Sequence, residues 1–285
     1  MVKERTADRD SQQTLGVIAG NGPLPVVFAR EAQALGLKLV AVAHFGETQP
    51  ELERYVEEMT WVHVGELGRL IEALVRGAAK QTIMLGGIDK RRALQDFRPD
   101  ERGLRLLQSL VGRGDDALLV ALADELEQEG VKVVDSSQWL APWLASEGVL
   151  GRHEPGEQEV KDIQLGIAVL GRIGALDIGQ TVVIKQGVIL AVEAVEGTDQ
   201  AVLRGGELGG PGAVVVKGSK PQQDMRFDVP VVGPETLHNM VTVGAKVLAL
   251  EADRTFLLDR DSMLRLAERE GVSIMGWRRP AGEDR

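Results

Sequence analysis

Four short apolar runs punctuate the first half of the chain: TLGVIAG (14–20), LKLVAVAHF (37–45), QTIMLGG (81–87) and VKVVDSS (131–137). Runs this short and this continuously apolar read as strands covered on both faces. Segments with helical periodicity separate them. VVFAREAQALG is opened by Pro23 and Pro25 and closed by Gly36, and ELGRLIEALVRGAA, GLRLLQSLV and DDALLVALADELEQEG follow. Strands alternating with helices of this length imply parallel βαβ units with helices on both faces. Residues 12–150 are therefore expected to form a Rossmann-like, doubly wound α/β domain.

The rhythm then breaks. GRHEPGEQE (151–159) joins Gly, Pro and charge without apolar periodicity, as a linker does. Beyond it, DIQLGIAVLGRIGALD reads as a helix. TVVIK and VILAVEAV read as strands meeting at a Gln186–Gly187 turn. AVVVK, KVLAL and TFLLD add strands, and PETLHNMV and SMLRLAEREG add helices. Residues 160–280 are expected to form a mixed α+β domain. At 285 residues the chain is long enough for two cores. Aromatics supply only 4% of it, so Val, Leu, Ile and Ala must build them.

The net charge of −10 repels phosphate polyanions, and no block of Lys or Arg offsets it, so nucleic acid is not expected as a partner. Absence of cysteine removes disulfides, thiolate nucleophiles and thiolate metal sites. The first residues, MVKERTADRDSQQ, lack the apolar core of a signal peptide, and no apolar run approaches the ~18–20 residues of a membrane span. A cytoplasmic protein is expected, with peripheral membrane contact left open and a homodimer as the default assembly.

Four stretches carry residues suited to chemistry. Gly20-Asn21-Gly22, between the first strand and the first helix, has glycines that can present backbone N–H groups to a phosphate. It falls short of G-x-G-x-x-G because Pro25 takes the third glycine's place, and a plain structural turn is the competing reading. Gly86-Gly87-Ile88-Asp89-Lys90-Arg91-Arg92 follows another strand, at the sheet edge where such domains bind ligands. Its rival reading is a solvated basic turn. In VEAVEGTDQ, Glu193, Glu196 and Asp199 are oxygen donors suited to Mg²⁺. Strand alternation sets Glu196 opposite Glu193, and Asp199 can instead cap a helix starting at Gln200. The fourth stretch, Lys217 to Pro230, is dense in Lys, Gln, Asp and Arg, with Lys217, Lys220, Gln223, Asp224 and Arg226 able to clamp a diphosphate and orient water. Histidine is scarce, H-E-x-x-H, G-x-S-x-G and the P-loop pattern are absent, and any metal is expected to be hard, Mg²⁺ or Mn²⁺.

Together LGVIAGNGPLP, LDIGQTVVIKQGVILAVEAVEGTD and VVVKGSKPQQDMRFDVPVVGPET resemble the LpxI-type UDP-2,3-diacylglucosamine pyrophosphatases, from about residue 14 to Trp277. The EGTD and KPxQDxRxDxP strings are specific in combination. The resemblance implies hydrolysis of UDP-2,3-diacylglucosamine to UMP and 2,3-diacylglucosamine 1-phosphate (lipid X) in lipid A assembly of Gram-negative bacteria. It further implies Mg²⁺ dependence, two domains holding the lipid nucleotide, and a catalytic aspartate in the QD motif, here Asp224. Water is expected to attack the phosphorus on the sugar side. On this footing Lys220 and Arg226 join Asp224 as catalytic candidates. Gly20, Asn21, Gly22, Gly86, Gly87, Asp89, Lys217 and Gln223 are candidates for substrate, and Asp224, Glu196 and Asp199 for metal. Gln222 and Ser219 depart from the family's usual KPGQD and small residue without removing a charge. The rivals are a non-catalytic nucleotide-sugar or lipid-binding protein and a dinucleotide-dependent oxidoreductase. The second is weakened because His44 and Phe45 stand where a ribose-binding acid belongs.

Overall fold

The computed structural model describes residues 14–89, 92, 95–110, 115–227 and 229–279. Lys90, Arg91 and Asp228, singled out in the sequence motifs, lie outside the described residues. The chain divides into two compact units. The first takes the described residues up to Trp139 together with Arg226 and Phe227, and the second takes the rest.

The first unit is built on a parallel sheet of order β3-β2-β1-β4-β5. Its strands are β1 (Thr14–Ala19), β2 (Lys38–His44), β3 (Glu58–Val62), β4 (Gln81–Leu85) and β5 (Lys132–Val133). Helices α1 (Leu24–Ala34), α2 (Leu67–Arg76), α3 (Glu101–Ser109) and α4 (Asp115–Gln128) complete the α/β architecture. Val17, Ala19, Ala41, Val42, Ala43 and Ile83 are wholly buried, as the continuous apolar runs require. Each buried Val or Leu contributes about 1.5–3 kcal/mol. The edge strand β3 carries no apolar run; EMTWV is only partly buried, so its signal is weak. Strand order reverses at β1, with β2 on one side and β4 on the other, so the loops after β1 and β4 flank the crevice where doubly wound sheets take ligands.

The second unit holds a six-stranded mixed sheet of order β6-β13-β11-β9-β7-β8. These are β6 (Gly148–Val149), β7 (Thr181–Lys185), β8 (Val188–Val192), β9 (Val214–Lys217), β11 (Val247–Glu251) and β13 (Ser273–Trp277), with β10 (Val231–Val232) and β12 (Phe256–Leu257) pairing separately. β9, β11 and β13 run parallel; β6, β7 and β8 are joined antiparallel. Around them lie α5 (Glu157–Ala175), α6 (Thr198–Gly209), α7 (Pro234–Thr242) and α8 (Arg260–Glu270). The hairpin turns at Gln186 and Gly187, both at positive φ (50° and 78°), and each N–H donates to Asp162 at 2.7 Å. The units divide between Trp139 and Leu140, ahead of the 151–159 stretch, because Leu144 already bridges Phe256 and β6 already pairs with β13.

Candidate functional site

In the first unit the loops after β1 and β4 interlock through their backbones. Gly20 N–H donates to the Leu85 carbonyl at 2.8 Å and Asn21 N–H to the Gly87 carbonyl at 2.7 Å. A Cβ on Gly20 would stand 2.2 Å from the Gly87 oxygen, and one on Gly86, at φ +80°, would stand 2.1 Å from the Asn21 oxygen. These glycines are thus required by the approach of two main chains. The N–H groups of Gly20 and Asn21, read as phosphate donors, are spent on carbonyls.

A third loop joins them. Glu47, in the turn after β2, accepts from Asn21 Nδ2 at 3.0 Å and from the Asp89 N–H at 3.2 Å through Oε2. Its Oε1 is buried without a hydrogen bond, with Arg92 Nε at 3.9 Å. Asn21 Oδ1 accepts from the Gly87 N–H at 3.2 Å. Beside this knot, the Ala19 carbonyl accepts from His44 Nδ1 at 2.9 Å and from the Thr48 hydroxyl at 2.6 Å. Burial lowers the His44 pKa, outweighing the Ala19 bond and the Glu47 charge that raise it. Gly20, Asn21, Gly86, Gly87 and Asp89 therefore come together. Glu47 and Thr48 were missed, for lack of any motif; Glu47 lies only two residues past the Phe45 position where an acid was sought.

In the second unit, Lys217 ends β9 and is buried. Its Nζ donates to Thr198 Oγ1 at 2.5 Å, and the Thr198 hydroxyl donates to Glu193 Oε1 at 3.1 Å. Glu193 Oε2, Asp199 Oδ1 and Gln180 Oε1 are buried without hydrogen-bond partners. The loop leaving β9 is pinned at its root. Glu251, at the end of β11 and 1% exposed, accepts from the Ser219 N–H at 2.6 Å and the Ser219 hydroxyl at 2.7 Å. Arg279 pairs with Glu251 at 3.1 Å and donates to the Ser219 carbonyl at 2.7 Å, while Arg254 donates to the Ser219 hydroxyl at 3.1 Å. Further along, Lys220 Nζ pairs with Asp177 and Gln222 Nε2 donates to the Gly174 carbonyl at 2.9 Å. Gln223 closes a turn on Lys220, its side-chain oxygen accepting the Lys220 N–H at 2.8 Å. The half-buried Asp224 follows directly.

Two expectations change. Glu196 is exposed and turns to Arg204 of α6 at 2.5 Å, also accepting from the Ala194 N–H. Its own backbone N–H, then Arg204, holds its pKa below the usual carboxylate range. Helix α6 starts at Thr198 with Gly197 as its N-cap, so Asp199 lies inside the first turn and does not cap it. Among the described residues no group of three or more His, Asp or Glu is arranged to hold a metal ion. Arg226 lies over the Phe227 ring, 4.8 Å from its centroid, and Phe227 packs against the first unit's core. Among the described residues no helix is long and apolar enough to cross a membrane.

Similarity to solved structures is slight. N5-carboxyaminoimidazole ribonucleotide synthetase from Thermotoga maritima overlaps 64% of this chain and 41% of its own, at 10% identity and a TM-score of 0.24. Phosphoribosylglycinamide synthetase from Anaerococcus prevotii overlaps 62% and 38%, at 11% identity and 0.26. The chain thus spans less than half of either structure, and overlap of that quality carries no weight. Sequence is far more telling. A UDP-2,3-diacylglucosamine pyrophosphatase LpxI from Caulobacter vibrioides is 34% identical over 275 residues, covering 92% of this chain and 96% of its own. The LpxI N-terminal domain model matches residues 14–143 and the LpxI C-terminal domain model matches 146–275, meeting a few residues beyond the Trp139–Leu140 division. The interlocked glycine loops and the pinned KGSKPQQD loop are thus features of a chain that belongs to the LpxI family.

Proposed function

We propose that the chain hydrolyses UDP-2,3-diacylglucosamine to UMP and lipid X in lipid A biosynthesis. The observation that carries this is the match to a pyrophosphatase of that name along nearly the whole of both chains. The second unit's chemistry supports it. Lys217, Lys220, Arg254 and Arg279 gather around the loop that bears Asp224, and diphosphate cleavage needs positive charge beside an oriented water. In this reading Asp224 orients the water and takes its proton, Lys220 offsets charge on the phosphates, and Arg226 and Gln223 position them. The water oxygen bonds to the sugar-side phosphorus, the bridging bond breaks, and the bridging oxygen leaves with UMP. Glu251 and Arg279 act through Ser219, holding the loop's root.

Mg²⁺ or Mn²⁺ belongs to the same proposal. Asp224 and Asp199 are the carboxylates offered to it, and the orphaned Asp199 Oδ1 favours that role, whereas Glu196 is committed to Arg204. Work at the cytoplasmic face of the inner membrane and a homodimer complete the reading, to be checked by co-sedimentation with lipid vesicles and by light scattering.

The test is release of UMP from UDP-2,3-diacylglucosamine with Mg²⁺, with chelator, and with Asp224→Ala. Wild type should turn over only with metal, and the variant should lose at least about 10²-fold, the usual contribution of a positioned base. Tight substrate binding without turnover would make the chain a lipid-nucleotide-binding protein. An oxidoreductase is disfavoured by the first glycine loop, where the Gly20 and Asn21 N–H groups serve carbonyls.

A further inference from the structure

Aromatic residues make up 4% of the chain, yet Phe45, Trp61 and His63 form one stack at the carboxyl ends of β2 and β3. The Phe45 ring lies 5.4 Å from Trp61, nearly parallel to it, and 4.6 Å from His63. His63 Nδ1 is fixed by Asp96 at 2.7 Å. A core stack would be sealed, but Phe45 stays 42% exposed, so this one ends in a ring offered to solvent. Two residues on, the Glu47 side chain is 2% exposed, and its Oε1 lacks a hydrogen bond. Glu47 is tied to the loop after β1, which is tied in turn to the loop after β4.

We propose that Phe45, backed by Trp61 and His63, is the stacking platform for the uracil ring of a uridine nucleotide, with Glu47 placed to accept from the ribose hydroxyls. The identity of the base rests on the activity proposed above. The platform itself rests on the order of groups along the sheet edge. An aromatic stack stands at β3 and β2, a buried carboxylate between β2 and β1, and glycine loops at β1 and β4. Neighbouring strand ends are about 4.8 Å apart, so a base on the stack sets its sugar beside the carboxylate, close to the point where strand order reverses. The half-exposed Arg92 side chain stands 3.9 Å from the Glu47 Oε1 atom. An acyl chain suits the place poorly, because the platform is one ring wide and bordered by Asp96, Glu66 and Glu47.

The full chain would be titrated calorimetrically with UMP, ribose 5-phosphate and lipid X, as wild type, Phe45→Ala and Phe45→Trp. Loss of base stacking should weaken UMP about 5- to 150-fold in Phe45→Ala. Phe45→Trp should restore it, and ribose 5-phosphate should bind all three alike. Equal UMP affinity in Phe45→Ala and wild type overturns the platform, as does an equal loss for ribose 5-phosphate or a loss confined to lipid X. Turnover of UDP-2,3-diacylglucosamine by wild type, measured alongside, separates the two readings. Turnover with UMP binding indifferent to Phe45 sinks the platform alone, and Phe45-dependent UMP binding without turnover sinks the hydrolase reading alone. Wild type that binds no UMP sinks the platform whatever the turnover.

Discussion

Both units carry loops beyond the ends of parallel strands, and they secure them by different means. In the first, two main chains interlock at Gly20 and Gly86, and one carboxylate, Glu47, ties in a third. In the second, a buried Glu251–Arg279 pair grips Ser219, and Lys217 reaches Thr198. The first arrangement keeps one buried carboxylate oxygen without a hydrogen bond, which suits a hydroxyl donor. The second places cations around a loop, which suits phosphate. Loops at equivalent places in two sheets are thus secured by different chemistry.

The sharpest test of that contrast is Glu251→Ala. It removes a buried carboxylate that accepts from the Ser219 N–H, the Ser219 hydroxyl and Arg279, and breaking a buried pair from one side costs about 3–5 kcal/mol. The denaturation midpoint of the second unit should fall accordingly. In the first unit, Gly86→Ala places a side chain at φ +80° and against the Asn21 carbonyl. Strain of that kind costs about 1–3 kcal/mol. Glu47→Ala, which strips the acceptor from Asn21 Nδ2 and the Asp89 N–H, falls in the same range of about 1–3 kcal/mol. If Glu47→Ala proved as costly as Glu251→Ala, the contrast between a backbone knot and an ion-pair anchor would fail.

The sequence carried the strand–helix alternation, since β1, β2 and β4 are buried on both faces and announce themselves as apolar runs. It also carried the Gln186–Gly187 turn, which only residues tolerant of positive φ can make. Strands β3 and β13 went unread, because EMTWV and SIMGW mix polar or small residues into short segments. Gly20 and Gly86 were legible as important, but their reason was not: close approach of two loops 66 residues apart leaves no local trace. Glu47, Glu251 and Arg279 were invisible for the same cause. Each is an ordinary charged residue until the sheet brings its partner near.

His44 ties the first unit's loops to pH. Its folded pKa lies below 6.5, so the unfolded chain binds a proton first on acidification. Stability is therefore full above pH 6.5 and falls below it, at a slope approaching 1.4 kcal/mol per pH unit until the folded pKa is reached. Chemical denaturation at pH 5 to 8 should show this loss in wild type. His44→Gln keeps a donor for the Ala19 carbonyl without the titration, and should flatten the curve.

The smallest expected effect falls on Glu196. As a metal ligand it would be indispensable, but its carboxylate is exposed, held by its own backbone N–H and by Arg204. Exposed pairs contribute about 0–1 kcal/mol, so Glu196→Gln should barely move the denaturation midpoint. UMP release should keep its rate and its Mg²⁺ concentration dependence. Asp199→Asn, by contrast, alters the buried oxygen that lacks a partner, and should raise the Mg²⁺ needed for half-maximal rate. A steep loss in Glu196→Gln with Asp199→Asn unaffected would mean that Glu196 leaves Arg204 when substrate binds, and that the cation site is assembled by the ligand.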